Sequence, residues 1–207
     1  QRGAKAIVIA CNTVSSNAMD AIKQHYDLPI IEVISTTAEL AYNKSENKNI
    51  GVIGTKATIE SHSYEKALKS MDTKVTVHQK SCPLFVPLAE EGVEWWEDEI
   101  TKMVAKRYFS FFDNTDIDTL ILGCTHYPLL KNSIRQTIGN DVCLVDSAYI
   151  TAKQTKIMLE KSGLLKKSSS KGILEIYTSD SIERFMPMCN AILGMDCLNI
   201  NKCDVGE

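Results

Sequence analysis

The sequence has no run of basic residues, no apolar stretch long enough to span a membrane and no Cys-x-x-Cys pair. Each absence removes a class of function. With a formal net charge of −3 over 207 residues, the chain lacks the basic excess that neutralises phosphates, which excludes nucleic acid as the main partner. A membrane helix needs about 20 consecutive apolar residues, and none occurs. Nothing at the start reads as a signal peptide. The seven cysteines (Cys11, Cys82, Cys124, Cys143, Cys189, Cys197 and Cys203) are odd in number and widely spaced. A small secreted domain carries an even, dense set, so these read as thiols of a reduced cytoplasmic protein, buried apart from Cys11 and Cys124. The Gly-Lys-Ser/Thr ending of a phosphate-binding P-loop is also missing. So is a second pair that would complete a zinc site with Cys124 and His126. No lysine has the surroundings of a Schiff base, and neither a metal nor a cofactor is expected.

What is present is an alternation of short apolar runs with helical patterns. Strands are expected at 6–10, 29–34, 50–54, 75–78, 119–123, 142–145 and 173–177. Helices are expected at 13–25, 36–43, 57–71, 93–112, 128–138, 149–162 and 181–193. In the long helix, Trp96, Ile100, Val104, Tyr108 and Phe111 fall at helical spacing. The stretch from Lys166 to Lys171 reads as a solvated linker. Such alternation predicts an α/β fold with mostly parallel sheets covered by helices on both faces.

Two segments match. Ala6-Ile7-Val8-Ile9-Ala10-Cys11-Asn12-Thr13 and Thr119-Leu120-Ile121-Leu122-Gly123-Cys124-Thr125-His126 are each an apolar run, a small residue, a cysteine and then polar side chains. Each cysteine is thus expected just past the C-terminal end of a strand, the edge at which open α/β sheets bind ligands. A position at the start of a helix favours the thiolate. The matched segments lie about one small domain apart, so two similar units with a cleft between them are expected. His126 is suited to relay a proton or orient the thiol, though taken alone it also reads as a turn histidine bonded to backbone. Gly54-Thr55-Lys56-Ala57-Thr58 opens a helix with hydroxyls and free N–H groups that suit an anion; a plain N-cap fits equally well. Glu90 and Glu91 follow the apolar Cys82-Pro83-Leu84-Phe85-Val86-Pro87-Leu88-Ala89. That approach singles out a semi-buried carboxylate, although adjacent carboxylates usually form a solvated face.

Taken in order, Ala-Cys-Asn-Thr, Gly-x-x-x-Thr, Cys-Pro-Leu-Phe-Val-Pro-Leu-x-Glu and Leu-Gly-Cys-Thr-His-Tyr-Pro-Leu-Leu resemble the glutamate racemases. These are cofactor-independent enzymes of the aspartate/glutamate racemase family that supply D-glutamate for the bacterial cell wall. The resemblance runs from Cys11 to Tyr177-Thr178-Ser179-Asp180. It implies that Cys11 and Cys124 are the two catalytic thiols, with His126 and Glu90 assisting proton transfer. It implies that Asn12, Thr13, Thr55, Thr58 and Thr125 bind the substrate, glutamate. It also implies two three-layer α/β domains, 1–33 with 150–207 and 34–149, with the active site between them, and a homodimer when intact. Members of the family carry an Asp-Ser-Gly strand and a Pro-Tyr-Gly stretch before the first cysteine. Neither is found here, and the chain opens on Gln1 almost directly at a strand, so a leading segment is expected to be missing. The alternatives are an aspartate racemase or another cysteine-pair enzyme of this layout, and an inactive chain.

Overall fold

The computed structural model describes residues 3–196 and 199–204. In chain order the elements are β1 (Ile7–Ile9), α1 (Asn12–Asn17), α2 (Met19–His25), β2 (Ile30–Glu32), α3 (Val33–Lys44), β3 (Asn49–Gly54), α4 (Lys56–Glu60), α5 (Ser63–Met71) and β4 (Thr76–Ser81). Then follow α6 (Phe85–Glu90), α7 (Val93–Trp96), α8 (Glu99–Phe109), β5 (Thr119–Gly123), α9 (Lys131–Ile138), β6 (Cys143–Val145), α10 (Ala148–Lys161), β7 (Ile176–Thr178), α11 (Ile182–Leu193) and β8 (Ile200–Lys202). All strand pairs among the described residues are parallel.

The centre is a four-stranded sheet in the order β4-β3-β5-β6. Its register sets Ile50 against Thr119, Val52 against Ile121 and Ile53 against Leu122. Because strand side chains alternate between faces, Ile53, Leu120 and Leu122 enter a core with Phe85, Ala105, Phe109, Tyr127, Leu130 and Ile134. Ile50, Val52 and Ile121 enter the opposite core with Val33, Ile34, Ala38, Tyr64 and Leu68. Helices thus cover both faces, and β3 and β5 are buried almost throughout. Each fully buried Leu or Ile contributes about 1.5–3 kcal/mol. The flanking segments add two two-stranded ribbons, β1 with β2 and β7 with β8.

Several boundaries depart from the pattern reading, each for a local reason. The helix expected over 13–25 breaks at Ala18, between α1 and α2. That over 57–71 breaks where His62 takes a left-handed conformation at φ 54°. The helix expected over 93–112 breaks at Asp98, whose carboxylate accepts from Ile100 N at 2.7 Å and starts α8 anew. Of its apolar stripe, Ile100 and Phe111 are exposed, while Trp96, Val104 and Tyr108 pack on the core. The second strand ends at Glu32 rather than Ile34, because the Glu32 carboxylate caps α3 through Ile34 N at 2.6 Å and Ser35 N at 2.8 Å. The short helix α6 was not expected. Pro87 lies in its first turn, where no N–H is needed, and two prolines within five residues read as a loop. Strand β8 was likewise unexpected, and the strand expected over 173–177 starts only at Ile176. The segment 166–171 is exposed, as a solvated linker should be. Cys82 and Cys189 are buried, but Cys143 and Cys203 are only half-buried, because they lie on a sheet edge and beside a short ribbon. Cys197 lies outside the described residues.

Candidate active site

Both cysteines sit where the matched segments place them. Cys11 follows β1 and is the N-cap of α1, with its carbonyl accepting from Ser15 N at 2.9 Å. Cys124 follows β5, and its carbonyl accepts from Tyr127 N at 3.2 Å to close the turn. Gly123, just before it, is required by a close approach. A Cβ there would stand 2.7 Å from the Ile53 carbonyl oxygen and 3.1 Å from the Tyr64 ring. The two thiols differ in setting, since Cys11 is exposed and Cys124 buried.

Burial pushes the Cys124 thiol above its ordinary range. The N–H groups of His126 and Tyr127 and the Thr125 hydroxyl act the other way, by donating to the thiolate. A charge on Cys11 also raises Cys124, so the two sulfurs feel one another. Repulsion of this kind disfavours two thiolates at once.

A line of proton-bearing groups leads outward from Cys124. Its sulfur lies 3.7 Å from His126 Nδ1, and His126 Nε2 lies 3.1 Å from a Glu90 carboxylate oxygen. Glu90 reaches this position because α6 ends at it. The Thr125 hydroxyl is 3.5 Å from the same His126 Nδ1. Glu91 makes no ion pair among the described residues.

Three threonine hydroxyls form a triangle beside Cys11. Thr13 Oγ1 is 2.9 Å from Thr55 Oγ1 and 3.3 Å from Thr58 Oγ1, and the latter two are 3.1 Å apart. Thr55 caps α4 by accepting from Thr58 N at 3.2 Å. The anion-suited loop and the plain cap are therefore one structure here, brought against the first cysteine segment by packing of α1 on α4. Asn12 is buried, and its Oδ1 accepts from the Tyr64 hydroxyl at 2.6 Å. The structure thus gathers Cys11, Asn12, Thr13, Thr55 and Thr58 into one group, and Cys124, Thr125, His126 and Glu90 into another, with the two thiols electrostatically in touch.

Tyr64 joins the two groups and was missed in the sequence. Four residues before Leu68 it reads only as core, and nothing local shows where its hydroxyl goes. Tyr127 is similar: it is buried, with its hydroxyl donating to the Cys82 carbonyl at 2.9 Å. Among the described residues no group of three or more His, Cys, Asp or Glu is arranged to hold a metal ion. No described helix is long and apolar enough to cross a membrane.

A model of a family described as Asp/Glu/hydantoin racemase matches residues 1–155. The glutamate racemase of Geobacter metallireducens is 42% identical over 193 residues, which are 93% of this chain and 71% of that protein. Among solved structures, glutamate racemase isoform RacE1 from Bacillus anthracis is similar with a TM-score of 0.90 at 34% identity, covering 97% of this chain and 74% of that one. The Francisella tularensis glutamate racemase, solved in complex with D-glutamate, gives 0.88 at 34% identity with the same coverage, 97% and 74%.

Proposed function

The chain belongs to the Asp/Glu/hydantoin racemase family, and from that premise we propose that it interconverts L- and D-glutamate with Cys11 and Cys124 as its acid–base pair. The observation that carries this reading is the pair of cysteines, each just past the C-terminal end of a parallel strand, one beside a triangle of threonine hydroxyls and the other against His126. The substrate assignment draws on the glutamate racemases to which the chain is similar.

Inverting an amino-acid α-carbon means taking its proton from one face and returning one to the other. A single base would have to cross the substrate. Two bases need no such motion: the thiolate on one side accepts the α-proton while the thiol on the other side donates its own, and the two exchange roles in the reverse direction. Mutual repulsion of the sulfurs disfavours two thiolates together, and the His126 and Tyr127 N–H groups and the Thr125 hydroxyl favour a thiolate at Cys124. The α-proton is a weak acid, so preorganised donors must hold the charge that develops on the substrate. Asn12, Thr13, Thr55, Thr58 and Thr125 are assigned to the substrate carboxylates and ammonium. His126, held by Glu90, is assigned to proton movement at Cys124. The reading needs no pyridoxal group. It takes 1–33 with 150–207 as one domain and 34–149 as the other, meeting at the site, and a cytoplasmic homodimer supplying D-glutamate to peptidoglycan.

The test is Cys124→Ser. A serine hydroxyl is far too weak an acid to stand in for the thiol, so loss of racemisation is expected, read by optical rotation of L-glutamate. Retained turnover in that variant would sink the two-thiol assignment, and a preference for aspartate over glutamate would overturn the substrate.

A further inference from the structure

The unexplained polar group near the thiols is the Asn12 amide. Asn12 is 2% exposed, and its Nδ2 is buried with no hydrogen-bond partner among the described residues. Buried donors are almost always paired, and an exception in a folded protein calls for an explanation, a catalytic or binding role among them. The carbonyl end of the same amide is held, since Oδ1 accepts from the Tyr64 hydroxyl at 2.6 Å. An amide has one acceptor end and one donor end. Fixing the first fixes the direction of the second.

Tyr64 is built to do this. It is fully buried on α5, and its ring packs where Gly123 has no side chain. Burial pushes its phenol well above the ordinary range, so the hydroxyl keeps its proton and remains a donor. A hydrogen bond from Thr37 acts the other way, the charges of Glu32 and Cys124 add to the rise, and the ring lies against Gly123, the residue before the second thiol.

We propose that Tyr64 is a positioning residue that locks the Asn12 amide with its oxygen inward, so that the NH2 group is committed to an acceptor on the substrate, a carboxylate oxygen. This rests on the racemase reading, and it adds a residue that touches no substrate itself. Without Tyr64 the amide is free to turn over and present its oxygen to an anion, which repels it.

Tyr64→Phe keeps the ring and its packing and removes only the hydroxyl. With L-glutamate as probe, kcat/KM is expected to fall roughly tenfold, with KM raised and the melting temperature nearly unchanged. Asn12→Ala should fall at least as far, and Tyr64→Phe in the Asn12→Ala background should cost nothing more. A purely structural tyrosine would lower activity in both backgrounds, and that result, or an unchanged kcat/KM in Tyr64→Phe, overturns the proposal. If the unsubstituted chain does not turn over glutamate, the racemase reading fails instead, and the Asn12 side-chain NH2 decides this one. Its hydrogen exchange, followed by NMR in asparagine-labelled protein, should be slow in the unsubstituted chain and markedly faster in Tyr64→Phe. Equal rates overturn the lock.

Discussion

Cys124 shows how much one residue's surroundings decide. Burial alone would leave it an inert thiol, since desolvation opposes the charged form. Three donors from its own turn, the His126 and Tyr127 N–H groups and the Thr125 hydroxyl, offset that in part. Glu90 holds the far nitrogen of His126 at 3.1 Å while the near one lies 3.7 Å from the sulfur. Replacing that carboxylate by an amide removes the charged partner that fixes the ring at Nε2, so Glu90→Gln is expected to lower kcat about tenfold. Glu91→Gln should leave kcat near that of the unsubstituted chain. Steady-state rates for the two variants check this, and equal effects would place the role of Glu90 outside the relay. Residue type and spacing alone do not tell the two glutamates apart, and only the family resemblance pointed to Glu90. What separates them is the end of α6, a helix hidden by Pro83 and Pro87. The cysteines were legible for the opposite reason, since an apolar run, a small residue and a thiol are all local. Tyr64 was not legible, because its partner Asn12 is 52 residues away.

Elements were recovered where burial repeats with a fixed period and misjudged where one side chain captured the backbone. The strand from Thr119 to Gly123 is buried on both faces, and an unbroken apolar run announces that. The breaks at His62 and Asp98 are single-residue events that periodicity averages away. The sheet also sets different tolerances at two glycines that look alike in the sequence. A Cβ on Gly51 would meet the Ile117 and Leu120 side-chain ends, both at 2.8 Å. One on Gly123 would meet the Ile53 carbonyl oxygen at 2.7 Å, a backbone atom held in the ladder. Side-chain tips can rotate and a paired strand cannot, so Gly123→Ala is expected to cost about 1–3 kcal/mol and Gly51→Ala distinctly less. Urea unfolding of both variants measures this, with the midpoint shifting at constant slope. A larger loss for Gly51→Ala would contradict the packing described for these two inner strands.

Across the whole molecule, function depends on contacts between segments that are far apart in the chain. Thr13 meets Thr55 and Thr58, Ser63 donates to the Ser16 carbonyl, and Thr36 lies 3.1 Å from Thr151. The order of strands and helices was readable because it follows local patterns. The pairing β4-β3-β5-β6 and the docking of α1 on α4 were not, since they depend on matching surfaces distant in sequence. For racemisation by two bases, these contacts must set the two thiols on opposite faces of one α-carbon. Incubation with L-glutamate in D2O, with no cofactor added, tests it most directly, following the α-proton by NMR together with optical rotation. The α-proton signal is expected to disappear as rotation is lost, because the proton returned to the inverted carbon comes from a solvent-exchanged thiol. Loss of rotation with the α-proton retained, or no exchange at all, would contradict it.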